Sequence, residues 1–302
     1  MRGLFLFLSR QRQLRQWMET SSLARGLSSR FVAGDTLPEA LDVTRAVNRE
    51  GIAVTLDRLG ENVTSLEEAA RSRDVYLEAL SEISACRVDA NVSLKLSQFG
   101  IDISEEACRE NVAQLAAAAA KNGSFVRVDM ESSAYTDRTL RLVTALHGRF
   151  GAVGAVIQAY LYRSEKDIDC LCRERIRVRL CKGAYLEPTA LAFPSKTDVD
   201  RNFMRLAKKL LAEGTYPAIA THDERMISET IACVKSDRIA SDSFEFQMLY
   251  GIRRDLQKRL VAEGYRLRLY VPFGRAWYPY FMRRLAERPA NVLFLARNLF
   301  RE

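Results

Sequence analysis

The chain has 302 residues, of which 48% are hydrophobic and 28% are charged. A chain of this length and composition can bury a large core, which excludes disordered and fibrous proteins. No apolar run approaches the roughly 18 residues that a membrane-spanning helix requires. The net charge of +8 at pH 7 is typical of a protein with an anionic partner, such as nucleic acid or a membrane surface, or of one that only needs solubility.

The six cysteines are scattered along the sequence, and only Cys170 and Cys172 lie close together. In a chain this long, that distribution indicates reduced thiols and a cytoplasmic protein rather than a disulfide framework. The two histidines, His147 and His222, have no zinc-ligand spacing relative to the cysteines. We therefore expect no metal site.

The first thirty residues contain six arginines and a single acidic residue, Glu19. Such a segment is typical of a mitochondrial presequence or of a basic amphipathic helix on the surface, and we favour the second interpretation. The apolar stretch 4–8 is too short for the core of a secretory signal. We expect residues 1–50 to form a helical extension before the first strand.

Short runs rich in β-branched residues alternate with amphipathic segments along the rest of the chain. This alternation is typical of a parallel sheet built from strand–helix units. Eight runs predict strands over residues 52–58, 92–97, 125–130, 155–160, 176–182, 218–222, 244–249 and 267–272.

Eight strand–helix units favour the α/β class and a closed (βα)₈ TIM barrel over residues 51–302. No linker rich in Gly, Pro or Ser divides the chain, so we predict a single domain. A doubly wound open sheet is the alternative, but no Gly-x-Gly-x-x-Gly motif follows a predicted strand.

Polar and apolar residues alternate within several predicted strands, as Arg127 and Asp129 do with valines in the third. Successive side chains of a strand face opposite sides, so the apolar set should face the helices and the polar set the barrel axis. Because buried charges need partners, we expect internal salt bridges low in the barrel, such as Arg127 or Arg177 with Glu245.

A second group of polar residues lies at or near the C-terminal ends of the predicted strands, where barrel enzymes place their active sites. The group consists of Lys95, Asp129, Gln158, Arg179, Lys182, Thr221, His222 and Tyr270. We expect a barrel mouth with surplus positive charge, which suits an anionic ligand.

The segment after the eighth strand is predicted to be a helix, with Pro279 in its first turn and Pro289 after its end. Glu287 follows Arg283 by four residues and Arg284 by three, a spacing at which helical side chains interact. The spacing alone fits both an ordinary surface ion pair and a pair of guanidinium groups that bind a carboxylate.

Seven motifs occur in order along the chain. They are Ser93-Leu-Lys-Leu-Ser-Gln98, Phe125-Val-Arg-Val-Asp-Met-Glu131, Gln158-Ala-Tyr-Leu-Tyr-Arg163, Arg179-Leu-Cys-Lys-Gly-Ala-Tyr185, Ala220-Thr-His-Asp223, Phe244-Glu-Phe-Gln-Met-Leu-Tyr-Gly251 and Tyr280-Phe-Met-Arg-Arg-Leu-Ala-Glu287. With these motifs the chain resembles the proline dehydrogenases, most closely the compact bacterial monofunctional type. The resemblance favours the carboxylate-binding interpretation of the two arginines.

The resemblance implies a distorted barrel with FAD lying over the C-terminal ends of the strands. It implies that the substrate carboxylate is bound by Lys95, Arg283 and Arg284, and that Asp129 and Glu287 orient these cations. It implies contacts with the substrate ring from Ala184, Tyr185, Leu249 and Tyr270. It places Arg179 near flavin N5, so that Asp129 and Arg179 are the catalytic candidates. It implies FAD contacts from Met130, Gln158, Lys182, Gly183, Ala184, Thr221 and His222.

The implied reaction is the oxidation of L-proline to 1-pyrroline-5-carboxylate, the first step of proline catabolism to glutamate. Hydride would pass from proline C5 to flavin N5, and the electrons to a membrane quinone. The implied partners are this quinone, the surface of the inner membrane and a 1-pyrroline-5-carboxylate dehydrogenase that receives the product by channelling.

Two alternatives stay open from the sequence. One is another barrel flavoenzyme acting on a carbon–nitrogen bond, such as the methylenetetrahydrofolate reductases, which lack the Arg-Arg-x-x-Glu helix. The other is a basic membrane- or RNA-binding module, which requires basic residues clustered on one exposed face. Many of the arginines fall on predicted strands instead, so we expect no nucleic-acid partner.

Overall fold

The computed structural model describes residues 29–60, 62–278 and 280 of the chain. Eight parallel strands form a closed barrel, in which each strand pairs with the next and the last pairs with the first. The strands are β1 (Ala53–Arg58), β2 (Ala90–Leu94), β3 (Val126–Val128), β4 (Val153–Gln158), β5 (Val178–Cys181), β6 (Ala218–Ala220), β7 (Glu245–Leu249) and β8 (Leu267–Phe273). The predicted (βα)₈ barrel is confirmed.

Eight α-helices lie within the described residues. They are α1 (Leu37–Arg49), α2 (Leu66–Ala85), α3 (Glu105–Lys121), α4 (Thr136–Phe150), α5 (Ser164–Arg173), α6 (Lys196–Glu213), α7 (Glu224–Ser236) and α8 (Arg254–Ala262). Helix α1 precedes β1, and the other seven connect successive strands. None of these helices is long and apolar enough to cross a membrane.

The N-termini of several connecting helices are fixed by side-chain caps. Ser65, Ser104 and Ser195 accept hydrogen bonds from backbone N–H groups in the first turns of α2, α3 and α6. Asp223 does the same for α7. Because a capped N-terminus satisfies a backbone donor that the helix cannot, these residues fix where each loop above the barrel ends.

Strand ends differ from the sequence prediction by up to three residues. The second predicted strand extended to residue 97, but β2 ends at Leu94 and a 3₁₀ helix follows over Leu96–Phe99. The third was predicted to reach residue 130, but β3 ends at Val128. Lys95 and Asp129 therefore lie just beyond their strands, at the rim of the barrel.

The polar faces of the strands point into the barrel, as predicted, but neither predicted partner of Glu245, Arg127 or Arg177, is the observed one. The partner of Glu245 is Arg268, whose Nε lies 3.0 and 3.1 Å from the two carboxylate oxygens. Arg127 instead donates to the backbone oxygens of Ala155 and Arg177. The sheet order places β8 beside β7, with Gln247 in register with Arg268, and this neighbour relationship decides the partner.

The Glu245–Arg268 ion pair is almost completely buried. Burial raises the pKa of Glu245, but the charge of Arg268 and a hydrogen bond from Gln247 outweigh burial and bring the pKa below its ordinary value. Glu245 is therefore an anion in the folded protein, and it is the nearest carboxylate partner of Arg268, which also lies 3.7 Å from Asp89.

We predict that Glu245→Leu and Arg268→Leu each lower the free energy of unfolding by about 3–5 kcal/mol, because each leaves an uncompensated buried charge. The double substitution should lower it by less than either single one, since it removes both charges together. Urea unfolding of the three variants measures these differences. Additive losses in the double variant would show that the two side chains do not depend on each other.

Candidate active site

Four of the predicted site residues meet at the C-terminal end of the barrel. The Asp129 carboxylate accepts hydrogen bonds from Arg179 Nη1 at 2.8 Å and from the Tyr270 hydroxyl at 2.9 Å. The Lys95 ammonium lies 3.6 Å from the same carboxylate. Residues from β2, β3, β5 and β8 are thus joined through one acidic group.

A fifth member of this cluster, Asp57, was missed in the sequence. It lies near the end of β1, is buried, and has its two carboxylate oxygens 3.3 and 3.4 Å from Lys95 Nζ. The Tyr76 hydroxyl of α2 is within 3.3 Å of it. The alternation of β1 places Asp57 on the same interior face as Thr55, and this signal could have identified it.

The two aspartates differ in their electrostatics. Burial raises the pKa of Asp129, but Arg179 and Lys95 outweigh burial, so this pKa lies below its ordinary value. Burial also raises the pKa of Asp57. The attraction of Lys95 lowers this pKa and the repulsion by Asp129 raises it, and the net shift is upward. Asp129 is therefore a fixed anion, which suits a residue that orients cations.

Tyr270 keeps its proton in this cluster. Burial, followed by the negative charge of Asp129, raises the pKa of its phenol well above the ordinary value. The hydroxyl therefore donates to Asp129, while the ring faces the Arg179 guanidinium at 5.2 Å.

Arg179 is held rigidly but has one unused donor group. Its Nε donates to Gln247, and its Nη1 donates to Ser93 and Asp129. Its Nη2 is buried and has no hydrogen-bond partner among the described residues. A buried N–H group without a partner is destabilising, so this atom fits a ligand that brings an acceptor.

Gln158, at the end of β4, has both ends of its amide in use. Its Nε2 donates to the backbone oxygen of Glu131 at 2.8 Å, and its Oε1 accepts from the backbone N–H of Ala184 at 3.2 Å. A primary amide has two donor hydrogens and two acceptor lone pairs, so one of each remains for a ligand. The two hydrogen bonds hold the amide group in place and so fix the directions in which its remaining donor and acceptor point.

His222 and Thr221, which follow β6, are held by hydrogen bonds. The imidazole Nε2 of His222 accepts from the backbone N–H of Leu249 at 2.8 Å, so its proton is assigned to Nδ1. Thr221 Oγ1 accepts from the backbone N–H of Asp223. This tautomer presents a donor, which favours a binding role for His222 over a role as a general base.

The segment after β5 carries Lys182 and Gly183. The Lys182 ammonium lies 2.7 Å from Asp200 and 3.0 Å from Asp223, so an anion at this position would share it with two carboxylates. Gly183 has φ +124, and a Cβ there would lie 2.3 Å from the Tyr160 ring. Both the backbone angle and the contact therefore require glycine.

The remaining predicted residues divide into three groups. Met130 is buried, Ala184 is exposed, and Leu249 is half-buried at the end of β7. Tyr185 packs against the buried cluster of Tyr160, Leu161 and Ala192. The predicted cations and acid of the last helix lie outside the described residues; they are Arg283, Arg284 and Glu287.

Comparison with known proteins gives consistent matches. The family model described as proline dehydrogenase matches residues 40–297. The proline dehydrogenase of Deinococcus radiodurans is 44% identical over 280 residues, which are 91% of this chain and 90% of that protein. Proline dehydrogenase 1 of Bacillus subtilis subsp. natto is 40% identical over 302 residues, with full coverage of both chains.

A crystal structure of proline utilization A from Bdellovibrio bacteriovorus, inactivated by N-propargylglycine, shares the fold. Its TM-score is 0.83 at 24% identity, and the match covers 94% of this chain but only 38% of that longer chain. The full-length matches are to the shorter proteins named proline dehydrogenase, in agreement with the monofunctional bacterial type. The chain belongs to the proline dehydrogenase family.

Proposed function

We propose that this chain oxidises L-proline to 1-pyrroline-5-carboxylate, with FAD bound over the mouth of the barrel, as the first step of proline catabolism to glutamate. The observation that carries the proposal is the buried cluster of Lys95, Asp129, Arg179 and Tyr270 at the C-terminal strand ends. The cluster combines cations that can bind a carboxylate with a buried donor that can bind a cofactor. It occurs in a member of the proline dehydrogenase family.

The residues present at the mouth fit a flavin. The unpartnered Nη2 of Arg179 offers a charged donor, as expected of a group near flavin N5. The remaining donor and acceptor of Gln158 suit the pyrimidine edge, and Lys182 with Gly183 suits the phosphates. We assign further cofactor contacts to Met130, Ala184, Thr221 and His222. FAD, when bound, would supply at N5 the acceptor for the hydride that leaves proline C5.

The substrate is proposed to bind through its carboxylate. Lys95 would bind it together with Arg283 and Arg284, and Asp129 and Glu287 would orient these cations. Charge-assisted hydrogen bonds of this kind are stronger than neutral ones. The ring would lie against Ala184, Tyr185, Leu249 and Tyr270, and fixing both ends of so small a molecule holds C5 in place by proximity.

The amine of proline must lose its proton to solvent water before hydride leaves. A protonated nitrogen has no lone pair to stabilise the developing carbon–nitrogen double bond. Asp129, with its lowered pKa, stays ionised and serves as an orienting group rather than as an acceptor for this proton.

The remaining proposals concern partners and location. We propose a quinone as the electron acceptor and peripheral contact with the inner membrane by an otherwise cytoplasmic enzyme. We propose 1-pyrroline-5-carboxylate dehydrogenase as the enzyme to which the product is channelled. The relative that supports this last proposal is the bifunctional protein PutA of Escherichia coli. It is 27% identical over a match that covers 90% of this chain and 24% of that protein.

Anaerobic titration with proline tests the function. We expect the purified protein to be yellow and its visible absorbance to bleach stoichiometrically with added proline. A colourless protein, or a yellow one that proline does not bleach, would contradict the proposal.

We predict that Lys95→Met raises KM for proline about 10–100-fold while kcat changes much less. The substitution removes one charged hydrogen bond, worth about 1.5–3 kcal/mol, from a group that binds the unreactive end of the substrate. The exposed Lys258 of α8 provides the control, since Lys258→Met should leave both constants unchanged. An unaltered KM in Lys95→Met would remove Lys95 from the carboxylate site.

We predict that Gln158→Leu weakens FAD binding about tenfold or more. The substitution removes the donor and acceptor offered to the cofactor and releases the loop contact at Ala184. Fluorescence titration of the cofactor-free protein with FAD measures the affinity. The exposed Gln114 of α3 is a matched control, because Gln114→Leu should bind FAD as the unaltered protein does.

A further inference from the structure

Gln247 lies on β7 between the floor of the barrel and the active site, and it is buried. Its side-chain oxygen accepts a hydrogen bond from Arg179 Nε, and its side-chain nitrogen donates to Glu245. Glu245 is in turn fixed by Arg268 at 3.0 Å. The amide of Gln247 therefore connects the buried ion pair below it to the guanidinium above it.

The neutral amide of Gln247 satisfies both neighbours at this position. Arg179 offers a donor and Glu245 offers an acceptor, so the side chain between them must accept on one side and donate on the other. A glutamate would place a second carboxylate against Glu245, and a leucine would leave Arg179 Nε buried without an acceptor. Hydrogen-bonding capacity as well as side-chain shape therefore determines which residues fit at position 247.

This contact fixes Arg179 without cancelling its charge. Among the described residues, Asp129 is the carboxylate that pairs with Arg179, and Gln247 holds the Nε side through an uncharged oxygen. Together with Ser93 at 3.2 Å, these contacts immobilise two of the three nitrogens. The third, Nη2, has no hydrogen-bond partner among the described residues.

We propose that Gln247 is a positioning residue that sets the reduction potential of the bound cofactor through Arg179. The inference rests on the proposed function, because it requires the flavin to lie beside this guanidinium. A cation near the flavin stabilises the negative charge that the ring system gains on reduction. A neutral acceptor behind the cation adds no negative charge beyond that of Asp129, so it does not weaken that stabilisation further.

The test is the midpoint potential of the holoenzyme, measured by spectroelectrochemistry. Gln247→Glu adds one negative charge at the existing contact with Arg179. We expect the ratio of reduced to oxidised cofactor at a fixed potential to fall at least tenfold, which corresponds to about 30 mV for a two-electron couple. Gln247→Met, which breaks the contact without adding charge, should shift the potential in the same direction by a smaller amount.

Asn91→Asp is the matched control. Asn91 is also a buried amide of the barrel interior, and its oxygen accepts from Arg268 at 3.3 Å and from Thr55. The same amide-to-acid change there adds the same charge beside a different buried arginine. We expect a clearly smaller shift than in Gln247→Glu.

The measured potentials distinguish failure of the proposed role of Gln247 from failure of the proposed function. Unchanged potentials in both Gln247 variants would overturn the inference while leaving the proposed function intact. An equal shift in Asn91→Asp would also overturn it, because the effect would then come from interior charge in general. If the unaltered protein binds no flavin, or if proline does not reduce it, the proposed function itself fails.

Discussion

The central interaction of this molecule is the buried carboxylate of Asp129, on which Arg179, Lys95 and Tyr270 converge. Charges inside a barrel are tolerated only when they are paired and hydrogen-bonded. Because the strands carry charged residues on their inner faces, the barrel can close only in a register that brings these partners together. The pairing of interior charges therefore both stabilises the closed sheet and brings the site residues together.

The pairing extends through the barrel as one connected network. Arg268 of β8 contacts Glu245 of β7, which accepts a hydrogen bond from Gln247. Gln247 binds Arg179 of β5, which reaches Asp129 after β3, and Lys95 after β2 continues to Asp57 of β1. Six of the eight strands are cross-linked in this way. A substitution at the floor can therefore alter the geometry at the mouth, since the two are joined by a continuous series of contacts.

The sequence predicted the eight strands and their inner faces because alternation within a strand is a local property. It failed where the answer depended on which side chains of neighbouring strands meet. The partner of Glu245 was wrong because only the β7–β8 pairing shows that Arg268 is its neighbour. The alternation of β1 indicates that Asp57 faces the interior, but its partner Lys95, 3.3 Å away, follows β2 and is shown only by the structure. The roles of Arg283 and Arg284 came from family resemblance, since spacing alone left an ion pair equally open.

Asp57 also changes the charge balance that was expected at the mouth. The sequence indicated surplus positive charge, yet among the described residues Lys95 and Arg179 face two carboxyl groups, Asp57 and Asp129. When both are ionised the four charges cancel, although burial raises the pKa of Asp57. A neutral cluster has little net attraction for an anionic substrate. Within the proposed function, the surplus would then come from Arg283 and Arg284, which the sequence predicts to lie on a helix, with Lys95 supplying direction. This proposed role follows because the described part of the barrel supplies cations whose charge is already compensated.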